Sequence, residues 1–255
     1  MRTNTIRDLI TRGKPALGTL CTTASPLMAE SLGHSFDYVI VDLQHGENNL
    51  GNVQAMLQAL SATPAMPLVR LPAGMPVYVQ RVLDLGAYGI VVPLVDTAAD
   101  AQAIVRSVRY APAGERSWGP VRGTLYGGGD YFAHAHEQLL TIPMIETAAG
   151  LRNVRDILAV DGVDGCFIGP NDLSVSLGFA PEATQLSEPV EHAIATILAA
   201  ATAAGKFGGI QTYSAEAARR RIEQGFRFVS VQSDLRMARA TAQELCRAIR
   251  ALGNP

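Results

Sequence analysis

Short apolar runs alternate along this chain with stretches whose apolar positions recur at helical spacing, and the alternation repeats almost from end to end. Residues 16–21, 36–42, 67–70 and 89–93 read as four strands, and 142–145, 165–168, 207–210 and 226–231 as four more. The runs are apolar at consecutive positions rather than at every second one. Each strand is therefore covered on both faces, the mark of a parallel sheet with helices packed outside it. Between the runs, Ser25 followed by Pro26 starts a helix. Leu50, Val53, Met56, Leu57 and Leu60 share one helical face, and Leu151, Val154, Ile157 and Leu158 share another. Further helices are expected over 75–85, 97–110, 189–204 and 215–224, and a last one, capped by Ser233 and Asp234, ends near Leu252 and Gly253. Eight strands alternating with helices predict an α/β fold, one (β/α)8 TIM barrel occupying residues 1–255.

The alternation breaks between 111 and 141, where Pro, Gly, Ser and aromatic residues replace it. Loops of that length in a compact domain are usually functional or contain a helix of their own. Gly127, Gly128 and Gly129 follow no strand and precede no lysine or helix-opening hydroxyl, so they read as a flexible lid element rather than a phosphate cradle.

Parallel α/β folds do their chemistry at the carboxyl ends of the strands. At that rim Glu146 follows the fifth strand, and Asp172 follows the sixth after Gly169, Pro170 and Asn171. Two carboxylates on neighbouring strands repel unless a cation sits between them, and a hard divalent metal is the economical choice. A plainer reading stands beside this one: Glu146 as a salt-bridge partner, and Asn171 and Asp172 as caps of the next helix. Asp42 and His45 close the second strand, where His45 can shuttle a proton or orient water. Arg70 ends an otherwise apolar third strand and must be paired or bind an anion. Gln211 ends the seventh strand and Gln44 adjoins His45, so both join the expected substrate-binding residues. The helix opened by Gly169, Pro170, Asn171 and Asp172 offers backbone N–H groups to a substrate carboxylate.

The formal charge of −2, with arginines scattered along the chain, gives no footprint for nucleic acid. No apolar run is long enough to span a membrane, and no signal-peptide core follows Met1, so a cytoplasmic protein is expected. Cys21, Cys166 and Cys246 have no paired spacing and read as reduced, structural thiols. Lys14 and Lys206 are the only lysines, and each precedes a strand rather than closing one. A Schiff-base route through a rim lysine is therefore closed.

Six stretches stand out together: Phe36-Asp37-Tyr38-Val39-Ile40-Val41-Asp42-Leu43-Gln44-His45-Gly46, Val69-Arg70-Leu71-Pro72, Leu83-Asp84-Leu85-Gly86-Ala87, the segment from Arg109 to Arg116, Ile145-Glu146-Thr147, and the segment from Gly162 to Ser174. Taken together they resemble the HpcH/HpaI family of metal-dependent (class II) 2-keto-acid aldolases, in the phosphoenolpyruvate/pyruvate-barrel superfamily. The resemblance implies reversible aldol cleavage of 4-hydroxy-2-keto acids to pyruvate or hydroxypyruvate plus an aldehyde. It implies that Glu146 and Asp172 ligate Mg²⁺, Mn²⁺ or Co²⁺, that Arg70 binds the keto or enolate oxygen, and that His45 supported by Asp84 handles the proton. Asp42 would stand nearby. Gln44, where many relatives carry Glu, and Met144, where some carry Gln, depart from the pattern near the metal. The resemblance also implies a homohexamer, a trimer of dimers, whose last helix packs on a neighbouring subunit and in which Asp84 reaches His45 across the interface. A citrate-lyase or malyl-CoA-lyase type of carbon–carbon lyase is the rival enzyme, and a non-catalytic metal or 2-keto-acid binding protein the rival outside catalysis.

Overall fold

The computed structural model describes residues 1–72, 74–181 and 185–251. Its strands form where the apolar runs predict them. β1 (Ala16–Cys21), β2 (Tyr38–Asp42), β3 (Met66–Arg70), β4 (Gly89–Val92), β5 (Leu140–Pro143), β6 (Gly165–Ile168), β7 (Phe207–Thr212) and β8 (Phe228–Ser233) pair in the order β5-β4-β3-β2-β1-β8-β7-β6. Every pairing is parallel. The two outer strands meet where Met144 bridges to Phe167 and the Ile145 N–H donates to the Phe167 carbonyl at 2.9 Å, closing the sheet into a barrel.

The connections are α1 (Thr5–Thr11), α2 (Pro26–Gly33), α3 (Val53–Leu60), α4 (Pro76–Asp84), α5 (Ala98–Val108), α6 (Val121–Gly127) and α7 (Tyr131–Gln138). They continue as α8 (Ala148–Arg152), α9 (Val154–Ala159), α10 (Pro170–Ser176), α11 (Glu188–Ala203), α12 (Ala215–Gln224) and α13 (Asp234–Ala251). Side chains alternate along each strand, so one set fills the barrel and the other packs under the helices. The inner set is aromatic: Tyr38 stacks on Phe228 with ring centroids 4.1 Å apart, and Phe167 and Phe207 pack against the same ring. Gly18 makes room for this, because a Cβ there would lie 2.1 Å from the Tyr38 ring. At the N-terminal mouth Ile6 of α1 is fully buried, and Asn4 donates to the carbonyls of Tyr88 and Gln138. The strands' carboxyl ends are left as the mouth with space for a ligand.

Two expectations change. The fifth strand lies two residues earlier than predicted, because Leu140 and Thr141 pair with Gly89 and Ile90 of β4. Glu146 consequently stands on the loop after the strand. Residues 111–141 contain α6 and α7 rather than a lid. Gly127 is buried against Tyr131, and its carbonyl accepts from the Arg2 N–H at 2.6 Å. The triple glycine thus packs with the N-terminus, at the end of the barrel away from the open mouth. Helix α13 is exposed beyond Asp234 except at half-buried Met237, with Leu245 and Ile249 at 58% and 67% exposure. The predicted end of that helix, Leu252 and Gly253, lies outside the described residues. No helix among the described residues is long and apolar enough to cross a membrane.

Candidate active site

Asp42 and Arg70 are register partners at the ends of β2 and β3. Arg70 grips the fully buried Asp42 carboxylate with two bonds, Nε to Oδ1 at 2.8 Å and Nη2 to Oδ2 at 2.6 Å. The planar fork holds the guanidinium in one orientation, and Nη1 remains outside the clamp. Asp42 Oδ1 also accepts from the backbone N–H groups of Gln44 and His45, at 3.0 and 3.4 Å, which shapes the turn carrying His45. One buried carboxylate therefore positions both an arginine and a histidine.

Across the mouth, Glu146 is only 2% exposed. Its Oε1 accepts from the Leu94 N–H at 2.9 Å, whereas Oε2 is buried and unpartnered among the described residues. Burial pushes its carboxyl up to about 7, and the Asp172 charge adds to the rise against the opposing Leu94 N–H and Arg70. Asp172 sits in the first turn of α10, with Gly169 as N-cap and Pro170 at the start of the helix. A Cβ on Gly169 would lie 2.8 Å from Glu146 Oε2 and 3.4 Å from Asp172 Oδ2. The missing side chain keeps open the space that the two carboxylates face. A buried, half-satisfied carboxylate beside a second one is costly unless a cation compensates it, so this pair fits a hard divalent ion. Among the described residues no third His, Cys, Asp or Glu joins the group. Water and substrate oxygens would supply the remaining ligands.

A cavity of about 520 Å³ occupies the mouth, and its wall includes Asp42, His45, Arg70, Asn171, Asp172 and Gln211. Glu146 lies just beneath that wall, against Gly169. Gln211 Nε2 donates to the carbonyls of Thr212 and Gln232, both at 3.0 Å, which fixes the amide and leaves Oε1 buried without a partner among the described residues. Tyr213 follows β7, and its hydroxyl accepts from Asn171 Nδ2 at 3.2 Å. Burial holds the Tyr213 phenol above its ordinary value, so it stays protonated near neutrality.

The structure does not bring all the predicted residues together. Pro170 is buried at the start of α10, and half-buried Gln44, its Oε1 enclosed, is not among the residues lining the cavity. Asp84 ends α4, where its carboxylate accepts from Arg116 Nη2 at 2.8 Å. Within one chain it forms no pair with His45. Lys14 precedes β1, and Lys206, before β7, donates to the Val160 carbonyl at 2.7 Å; both lie at the barrel's other end. Cys21 and Cys166 are buried, Cys246 is exposed, and all three are free thiols. Tyr213, Gln232 and Arg236 also line the cavity and escaped the sequence reading. Their only signal was the polar sequence Ser230, Gln232, Ser233 interrupting an otherwise apolar last strand.

The sequence matches the family model described as HpcH/HpaI aldolase/citrate lyase over residues 18–241. A hydroxypyruvate/pyruvate aldolase of Rhizorhabdus wittichii is 40% identical over 98% of this chain and 100% of its own length. A 5-keto-4-deoxy-D-glucarate aldolase of Klebsiella pneumoniae is 37% identical over 92% of each chain. Among solved structures, an HpcH/HpaI aldolase/citrate lyase family protein from Burkholderia cenocepacia superposes with a TM-score of 0.91 at 32% identity, covering 97% of this chain and 100% of that one. Whole-length agreement in sequence and in barrel geometry leads to one conclusion: this chain belongs to the HpcH/HpaI aldolase/citrate lyase family.

Proposed function

We propose that the mouth of the barrel is a class II aldolase site, which cleaves and forms the C3–C4 bond of 4-hydroxy-2-keto acids. The products of cleavage are pyruvate or hydroxypyruvate and an aldehyde. The observation that carries this reading is the buried, unpartnered Glu146 Oε2 beside Asp172, opposite an arginine locked on Asp42.

Glu146 and Asp172 would hold a divalent ion, Mg²⁺, Mn²⁺ or Co²⁺, which when bound supplies Lewis-acid stabilisation for the negative charge that cleavage leaves on the keto oxygen. Arg70 offers Nη1 to the same oxygen, a preorganised donor whose orientation the Asp42 clamp has already fixed. The backbone N–H groups at the start of α10 receive the substrate carboxylate. His45 takes the proton of the C4 hydroxyl as the C3–C4 bond breaks, its electron pair passing to C3 and the keto group. A proton delivered to C3 then completes the pyruvate methyl group. Gln211 Oε1, a fixed acceptor without a donor, takes a hydrogen bond from a hydroxyl on the aldehyde half.

The exposed apolar face of α13 packs on a neighbouring subunit in a hexameric, cytoplasmic enzyme, and the partner subunit's Asp84 stands beside His45. Retro-aldol release of pyruvate from a panel of 4-hydroxy-2-keto acids, with and without added divalent metal, tests the reading. Metal-dependent release supports it, and failure of every member of the panel rejects it.

A further inference from the structure

A second cation faces the cavity, and the chemistry above leaves it unused. Arg236 lies in the first turn of α13, and its guanidinium stacks over the Tyr213 ring, 5.0 Å from the centroid. It lines the same cavity as Arg70 and Asp172. Among the described residues Arg236 forms no ion pair, whereas the charge of Arg70 is paired with Asp42. An arginine laid on an aromatic face keeps its edge N–H donors free for a planar anion.

Its position is fixed from several sides. Asp234, two residues earlier and 2% exposed, accepts from the N–H and hydroxyl of both Thr22 and Thr23, at 2.5 to 2.9 Å. That bolts the start of α13 to the end of β1. Gln232 adopts φ 61, a left-handed conformation rare for a residue with a side chain. Its side-chain N–H donates to the Tyr213 carbonyl, and its own carbonyl accepts from Gln211. Tyr213 in turn is tied to Asn171, the neighbour of Asp172. Strained backbone of this kind persists where surrounding structure enforces it, and here it aims the first turn of α13 at the cavity.

We propose that Arg236 is a specificity-determining residue that receives a terminal carboxylate on the aldehyde half of the aldol. The proposal rests on the aldolase reading given above. Charge favours a monoanion over a phosphate dianion. With Asp42 neutralising Arg70 and Asp172 assigned to the divalent ion, Arg236 is left to oppose the exposed Glu47 on the cavity wall. A second negative charge on the ligand would face Glu47 uncompensated.

The test is the ratio of kcat/KM for aldol addition of pyruvate to two four-carbon aldehydes, 4-oxobutanoate and butanal, in the metal-loaded enzyme. The wild type is expected to prefer the acid by at least tenfold. In Arg236→Gln the ratio falls by roughly 10- to 100-fold, the worth of a charged hydrogen-bonded contact, with the loss in the KM for the acid. Arg236→Lys restores part of the ratio, and Arg236→Glu inverts it. Equal ratios in the wild type and Arg236→Gln would overturn the assignment, as would a wild type without preference, which needs no variant to fold. A larger Arg236-dependent ratio for glyceraldehyde 3-phosphate over glyceraldehyde would overturn the choice of carboxylate. A wild type that adds pyruvate to none of these aldehydes removes the aldolase reading itself.

Discussion

Replacing Glu146 by Gln should make the metal-free protein more stable at alkaline pH while destroying its metal site. The Glu146 carboxyl is raised from an ordinary 4.5 to about 7, first by burial and then by Asp172. At ~1.4 kcal/mol per pH unit, ionising it in the folded state costs about 3 kcal/mol. The sign follows from linkage: the folded state holds the proton more tightly than the unfolded one, so this contribution is complete below pH 4.5 and is lost as pH rises through about 7. Gln cannot ionise, keeps an acceptor for the Leu94 N–H, and turns an N–H toward Asp172. The stability of Glu146→Gln minus that of the wild type should therefore grow by up to about 3 kcal/mol between pH 4.5 and pH 8. Urea denaturation after exhaustive chelation, across that pH range, measures it. With Mg²⁺ at about 1,000 times its Kd the order should invert, because the wild type alone gains about 4.1 kcal/mol from binding. A difference that does not change with pH, or a less stable Gln variant at pH 8 in chelator, would refute the reasoning.

Asp42→Ala should lower stability by about 3–5 kcal/mol, as breaking a buried pair does, and should raise the KM for the 2-keto acid because Arg70 loses its fixed orientation; denaturation and steady-state kinetics check the two effects. Gly18→Ala places a Cβ 2.1 Å from the Tyr38 ring, so a loss of about 1–3 kcal/mol or more is expected from overpacking, read as a lower urea midpoint with metal affinity retained. Leu245→Glu with Ile249→Glu charges the exposed face of α13. Sedimentation should then show smaller species than the wild type, and a wild type that is itself monomeric at micromolar concentration would remove the proposed assembly.

Apolar runs made the barrel legible in the sequence, because strands buried on both faces leave no polar alternation to confuse with a helix. The same rule misplaced the fifth strand. Leu140 and Thr141 belong to it only through pairing with β4, a long-range fact that no local pattern records. α6 and α7 were missed because they are short, rich in Gly and aromatic residues, and stabilised by docking on the N-terminus rather than by helix propensity. At the rim, Asp42, Arg70, Glu146 and Asp172 were legible because an ionisable residue closing an apolar strand needs a partner. Arg236 was not, since one arginine in a helix full of exposed polar residues looks like any other until Tyr213 is placed beneath it.

Deuterium exchange into the methyl group of pyruvate, followed by NMR in D2O without any aldehyde, isolates enolate formation from every question of acceptor. Exchange should require a divalent metal, vanish on chelation, and return with Mg²⁺. It should not return in Glu146→Gln or Asp172→Asn, since even changes around a metal's ligands cost ~10–100-fold in affinity or activity. Borohydride added with pyruvate should leave the mass of the chain unchanged. Exchange that survives exhaustive chelation, or a reduced adduct on Lys14 or Lys206, would contradict a site built on Glu146 and Asp172.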